Sequence, residues 1–322
     1  MKLVTFQSAM RGDRVGALVG HDAIIDLADA ALARGAMRVD QFATMAALIE
    51  AGERALGEAH ELIQRPPASA VMPAAGVKLK APLPLPAQIR DFCAFELHVL
   101  QAGRAIRQLH TGKAADLAVT PGSGPPVWYR QPLYYKCNRF AVAGPGDDVI
   151  WPDYSQLMDY ELELACVIGR RGRDIEASRA REHIFGYTIF NDFSARDAQA
   201  SEMEGPFGPA KGKDFDGANV FGPCIVTRDE IPDPYALTMR AAVNGSERVR
   251  GSTATMHWTF EQMIEHVSRG ETLYPGEIFG SGTVGNGCGL ESLSFLSEGD
   301  VVELEIERIG TLRNRVVRSG AV

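Results

Sequence analysis

The apolar residues of this chain change their period twice. Near the start, Val4 and Phe6, then Val15 to Val19, then Ile24 to Leu27 form short apolar runs separated by Arg11-Gly12-Asp13 and Gly20-His21-Asp22. Runs of this kind between turn residues predict a small β-meander over residues 1–28. From 39 to 64 the spacing becomes helical. Phe42, Met45, Leu48 and Ile49 make one stripe, and Leu56, Ala59, Leu62 and Ile63 make a second. Ala51-Gly52 separates the two predicted helices, and Arg65-Pro66-Pro67 stops the second. Ala81-Pro82-Leu83-Pro84-Leu85-Pro86 predicts an extended connector. We therefore place a boundary near residue 74, with a small N-terminal α+β domain over 1–74 and a large domain over 75–322.

Beyond the connector, Gly and Pro punctuate short apolar runs. These predict strands near 89–93, 140–143, 160–168, 184–191, 223–227, 238–243, 277–283 and 301–309. Helical spacing recurs only near 95–109, 178–183 and 259–269. Many strands with few helices predict a β-rich α+β fold whose sheet is closed or rolled. Two stretches, Thr111 to Pro132 and Glu204 to Gly222, read as long loops, and the second reads as a lid because it carries Lys211, Lys213 and Asp214.

One predicted strand carries chemistry. In Met158-Asp159-Tyr160-Glu161-Leu162-Glu163-Leu164-Ala165, the carboxylates of Glu161 and Glu163 alternate with core leucines and so share a face. On spacing alone the common outcome is a solvated face, and we read Glu303, Glu305 and Glu307 that way. Near Glu161 and Glu163, however, Asp192 closes the next apolar run. Clustered carboxylates repel, and a hard cation such as Mg²⁺, Mn²⁺ or Ca²⁺ relieves them. Asp91 can complete the set or can cap the following helix. His98, in that helix, is either a surface or satisfied core residue or a general base. Lys213 is a loop lysine or a donor to developing negative charge. Gly280-Ser281-Gly282-Thr283-Val284-Gly285 matches a dinucleotide fingerprint formally, but no helix start follows it, so that reading is rejected.

Composition narrows the classes. The 322 residues are 45% hydrophobic, with a formal net charge of −8 and no basic stripe, which argues against nucleic-acid binding. The five cysteines are dispersed and contain no C-x-x-C, as expected in a reducing cytoplasm. No apolar run reaches the roughly 18 residues of a membrane span. We read a cytoplasmic protein that does not enter the membrane.

Five segments in this order resemble the fumarylacetoacetate hydrolase family over about residues 75–310. They are Arg90-Asp91-Phe92 with His98, Asp159-Tyr160-Glu161-Leu162-Glu163, Asn191-Asp192-Phe193-Ser194-Ala195-Arg196-Asp197-Ala198-Gln199, Gly212-Lys213-Asp214-Phe215, and Gly282-Thr283-Val284-Gly285 with Glu291. The resemblance implies a mixed β-roll core, an extra N-terminal domain as in longer bacterial members, and a homodimer. It implies that Asp91, Glu161, Glu163 and Asp192 hold a divalent metal, Mg²⁺ first and Mn²⁺ or Ca²⁺ otherwise. His98 matches the group that activates water, and Glu291 matches the acid that orients it. Lys213 and Gln199 match groups that polarise the substrate. Arg107, Tyr135 and Thr283 match contacts to a substrate carboxylate. Cys93 and Met203 stand where fumarylacetoacetate hydrolases proper carry tyrosines, which places the difference in the substrate. The expectation is hydrolysis of a carbon–carbon bond in a 1,3-diketo acid. The alternatives are decarboxylation or isomerisation of a 2-keto acid at the same site, or an inactive binding protein.

Overall fold

The computed structural model describes residues 1–8, 10–20, 22–113 and 119–318. His21 of the predicted turn and residues 114–118 of the first predicted loop lie outside them. The predicted meander is present as β1 (Lys2–Ser8), β2 (Gly12–Val19) and β3 (Ala23–Asp26), joined at its edge by β4 (Val71–Pro73). A helix that the periodicity does not announce, α1 (Leu27–Ala33), starts directly after β3. Asp26 makes that abrupt change possible. Its carboxylate accepts the Asp29 amide at 3.0 Å as an N-cap while also accepting Arg14 at 2.8 Å.

The two predicted helices of 39–64 are the two arms of α2 (Met45–Gln64), which meet at the predicted break, Gly52, and a short 3₁₀ turn over Val39–Phe42 precedes them. Gly52 has φ 66° and ψ −149°, a conformation that favours glycine. The buried stripe of α2 packs with Phe42 against Phe185, Phe190, Phe221, Ile225 and Ile278 of the central sheet. The main path of that eleven-stranded sheet runs β4, β3, β2, β1, then Asn219–Thr227, Ile184–Asp192, Leu162–Ile168 and Glu277–Gly280. It ends in β5 (Gln88–Phe92) and β6 (Tyr134–Cys137). Most neighbours are antiparallel, but Glu277–Gly280 and β5 run parallel. The expected strand-rich α+β class is observed. Because β1 pairs with Asn219–Thr227, the N-terminal strands extend the central sheet and share its core. The boundary near residue 74 stays our proposal for chain order.

The other face of the central sheet is covered by a five-stranded sheet made of Ser246–Ser252, Thr238–Val243, Val301–Ile306, Gly310–Arg318 and Asp148–Trp151. There Val302, Leu304 and Ile306 face inward, while Glu303 and Glu305 pair with Arg313 and Arg240, as their alternation predicts. The remaining α-helices among the described residues are α3 (Glu96–Thr111), α4 (Ala177–Ala180), α5 (Arg196–Glu202) and α6 (Phe260–Ser268). α6 begins with a reciprocal cap between Thr259 and Gln262. With both faces covered, every residue of Leu162–Ile168 is buried.

The covering role of the N-terminal layer gives a direct test. Phe42→Ala removes a fully buried ring between the layer and the sheet and should cost about 3–5 kcal/mol. Leu32→Ala, at a position 67% exposed on α1, should stay within about 0.5 kcal/mol. Denaturant midpoints of the two variants check the contrast.

Candidate active site

The sheet order brings four carboxylates together. Asp91 lies on β5, Glu163 on Leu162–Ile168, and Asp192 ends Ile184–Asp192. Glu161 sits just before its strand and pairs through its backbone with Cys288. One oxygen from each lies within 4.8 Å of the others. Asp91 is not a helix cap, since Phe95 holds the cap position of α3. Gly280 runs between the strands of Asp91 and Glu163, where an added Cβ would come within 2.4 Å of Asp91 Oδ1 and 2.9 Å of Glu163 Oε2. Gly282 has φ 78°, and its amide donates to Glu163 Oε2 at 3.0 Å. An added Cβ there would meet the Phe92 carbonyl at 2.3 Å. The Gly-x-Gly spacing thus serves close approach to carboxylates.

Two buried cations balance part of the charge. Lys213 Nζ donates to Glu161 Oε2 at 2.7 Å and to Asp192 Oδ2 at 2.6 Å. Arg196, at the start of α5, donates to Glu161 Oε1 at 2.7 Å, to Asp159 Oδ2 at 2.8 Å and to Gln199 Oε1 at 2.8 Å. Burial alone would raise Glu161, but Lys213 and Arg196 outweigh it and hold the carboxyl well below its usual range. The other three go the opposite way. Burial first, and neighbouring carboxylates second, raise Asp91 and Glu163. Burial also raises Asp192, even with Lys213 beside it.

Among the described residues, Asp91 Oδ1, Glu163 Oε1 and Asp192 Oδ1 are buried with no hydrogen-bond partner. Three unpaired oxygens, one from each under-compensated carboxylate, are what a hard divalent cation requires. The donor set therefore fits such an ion.

Arg196 and Asp159 were quoted in the motifs without a role. Asp159 is fully buried and accepts Arg196 together with the Tyr160, Gly289 and Leu290 amides. It ties α5 to the turn that carries Glu291. The lysine segment has its own anchor. Glu202 accepts the Ala210, Lys211 and Gly212 amides at 2.9, 2.6 and 3.0 Å, which turns the chain so that Lys213 enters the cluster. That segment follows α5, and the predicted loop ends earlier than expected, at the strand beginning with Asn219.

The first turn of α3 places His98 beside the cluster, buried, with Nδ1 3.2 Å from Glu291 Oε1. Glu291 is fixed in turn by the Asn286 and Cys288 amides, at 2.9 and 3.1 Å. Gln199 reaches the site through Arg196. Thr283 is buried next to Gly282, and its hydroxyl has no partner among the described residues.

Two expectations change. Tyr135 pairs with Asp91 across β5 and β6, and its hydroxyl donates to Asp192. It supports a carboxylate of the protein where a contact to a substrate carboxylate was expected. Arg107 is exposed and makes no contact with the cluster among the described residues. It lies nine residues after His98 on the same helix, half a turn out of phase, and so faces away. Cys93 is half-buried beside Asp91, and burial, then the nearby carboxylates, push its thiol up to about 12, so it remains a small neutral wall. Met203 is exposed at the end of α5. A groove of about 970 Å³ lies elsewhere, between α2 and Arg228, and contains none of these residues.

Comparison with known proteins follows the same lines. The family model for the fumarylacetoacetate (FAA) hydrolase C-terminal domain matches residues 91–317. A mitochondrial oxaloacetate tautomerase of Bos taurus is 39% identical over 189 residues, 58% of this chain and 60% of that protein. The chain thus spans about three fifths of that relative's length. A fumarylacetoacetate hydrolase from Exiguobacterium antarcticum superposes with a TM-score of 0.75 at 28% identity, over 99% of both chains. A maleylpyruvate hydrolase from Sphingobium sp. SYK-6, solved with manganese(II) and pyruvate, does so with a TM-score of 0.72 at 25% identity, over 99% of both chains. With the family model matched from residue 91 to residue 317 of 322, the chain belongs to the fumarylacetoacetate hydrolase family.

Proposed function

We propose that the protein is a metal-dependent hydrolase that cleaves a carbon–carbon bond in a 1,3-diketo acid of the acylpyruvate type. The observation that carries this reading is the buried His98–Glu291 pair beside a carboxylate cluster with three unpaired oxygens. Asp91, Glu161, Glu163 and Asp192 would hold a divalent cation, which would supply Lewis-acid polarisation of a substrate carbonyl. The family includes a manganese-bound hydrolase, and Mg²⁺ is our choice for this chain. A homodimer in the cytoplasm is part of the same proposal, supported by the family resemblance and the five free cysteines.

The protein's own groups divide the remaining work. Glu291 accepts the Nδ1 proton of His98 and leaves Nε2 to take a proton from water. The resulting hydroxide attacks the substrate carbonyl. Lys213 uses two of its three donors on Glu161 and Asp192, and the third can meet the new oxyanion. The Gln199 carbonyl is held by Arg196, which leaves its amide N–H groups to serve as donors to the same oxygen in this proposal. Collapse breaks the carbon–carbon bond, and His98 returns its proton to the departing enolate carbon. The Thr283 hydroxyl is free to bind the substrate carboxylate.

A second reading has specific support. The bovine relative is named an oxaloacetate tautomerase, and the same histidine can move a proton between the carbon and oxygen of a bound 2-keto acid without attack by water. Products separate the two: two carboxylic acids from an acylpyruvate, or enol–keto exchange of oxaloacetate with no bond cleaved.

Three outcomes are expected. In calorimetric titration the protein should bind Mg²⁺ or Mn²⁺. Glu163→Gln should lose at least the roughly 10–100-fold affinity typical of even outer-shell changes, while Glu305→Gln should lose none. His98→Ala should lower kcat by about 10²–10⁴ and leave that titration nearly unchanged; loss of metal binding would make His98 a ligand instead of a base. In steady-state kinetics on a matched series, fumarylacetoacetate should have a lower kcat/KM than a diketo acid with a more apolar distal group. Cys93 and Met203 offer no phenolic hydroxyl to a second carboxylate, and a maximum at fumarylacetoacetate would sink this view of the pocket.

A further inference from the structure

Cys288 takes no part in the chemistry above, yet it stands beside the base. Its Sγ lies 3.4 Å from Glu291 Oε2 and 4.0 Å from His98 Nδ1, and His98 Nδ1 lies 3.2 Å from Glu291 Oε1. One donor atom from each of the three residues falls within 4.8 Å of the others. Tetrahedral zinc, with bonds of about 2.0–2.3 Å, sets its donors roughly 3.3–3.6 Å apart. The His98 and Cys288 separations from Glu291 lie close to that range, each to a different oxygen of the carboxylate, and the Cys288–His98 separation lies just above it.

The donor chemistry differs from that of the neighbouring cluster. Four carboxylates select a hard cation. Imidazole, thiolate and carboxylate together select a softer one. The backbone fixes the cysteine in advance, through its pairing with Glu161 and the hydrogen bond that its amide N–H donates to Glu291. A cavity of about 180 Å³, lined by Cys288, Asn286, Gly289, Ser292, Tyr160 and Arg248, lies against the cysteine, on the route an ion would take from solvent under this proposal. Three protein donors leave a fourth position for water.

We propose that His98, Cys288 and Glu291 form a second metal site, selective for zinc-class cations, whose occupancy switches the enzyme off. Coordination releases the thiol proton to solvent. It also takes the Nδ1 lone pair of His98, so the ring proton moves to Nε2. A ring protonated at Nε2 cannot accept a proton from water. The inhibitory half of this proposal rests on His98 being the base; the binding half does not.

The test keeps Mg²⁺ in excess to occupy the carboxylates and titrates the full chain with Co²⁺. A thiolate-to-cobalt charge-transfer band should grow to one equivalent and disappear when Zn²⁺ is added. The band should vanish in Cys288→Ser and Cys288→Ala and persist in Cys93→Ser, the other thiol near the carboxylates. No band in folded protein, or a band lost with Cys93 and kept without Cys288, overturns the proposal. If the Cys288 variants do not fold, His98→Ala decides: cobalt affinity must fall by about tenfold or more, and unchanged affinity refutes the site. Turnover is followed separately, and Zn²⁺ should inhibit wild type at a concentration at least about tenfold below that needed for Cys288→Ala. Absence of keto-acid hydrolysis would leave the band intact, so failure of the functional reading and failure of this one give different results.

Discussion

Burying four carboxylates in one pocket against only two cations is the constraint around which the rest of this protein is arranged. Removing each charge from water costs several kcal/mol unless partners replace the lost hydration. The chain supplies those partners unevenly. Glu161 is saturated by Lys213 and Arg196, whereas Asp91, Glu163 and Asp192 each keep an unpaired oxygen. That inequality fits an ion site better than a closed salt-bridge network. Glu161 is the fixed corner, and the other three are the open ones.

The fold separates two kinds of work. Strands of one sheet hold Asp91, Glu163 and Asp192, with Glu277–Gly280 between the first two, and the hydrogen-bonded ladders around them leave little freedom to relax apart. The groups to which we assign proton handling come from elsewhere: His98 from the first turn of α3, Glu291 from a 3₁₀ turn, Lys213 from irregular chain after α5. Asp159 and Arg196 bolt these elements together. A rigid anionic floor with proton-handling walls suits several enol reactions, which accords with a family containing both tautomerases and hydrolases.

Much of this was legible in the sequence, for identifiable reasons. Glu161, Glu163 and Asp192 stood out because charge inside apolar runs has few explanations, and period two put the glutamates on one face. The Gly52 break and the alternation of Val302 to Glu307 were equally plain. Other features had no local signal. Leu162–Ile168 is buried on both faces, so its side chains say nothing about which face meets which layer. The helix α1 follows β3 without a turn residue, because Asp26 ends the strand and caps the helix at once. Arg196, Asp159 and Glu202 act through partners distant in sequence, or through backbone amides that carry no residue identity. Arg107 lies half a turn from His98 on α3, a phase that likeness of sequence does not carry.

Lys213 has a wider significance through where it is attached. Its ammonium holds Glu161 and Asp192, and its backbone belongs to the segment that Glu202 folds back. A cation arriving at the carboxylates competes with, or shares oxygens with, that ammonium. Occupancy of the ion site and position of the segment are then linked quantities: whatever free energy one contributes to the other is returned in equal measure. Anything that restrains residues 204–212 therefore acts, at a distance, on how tightly the pocket holds its ion.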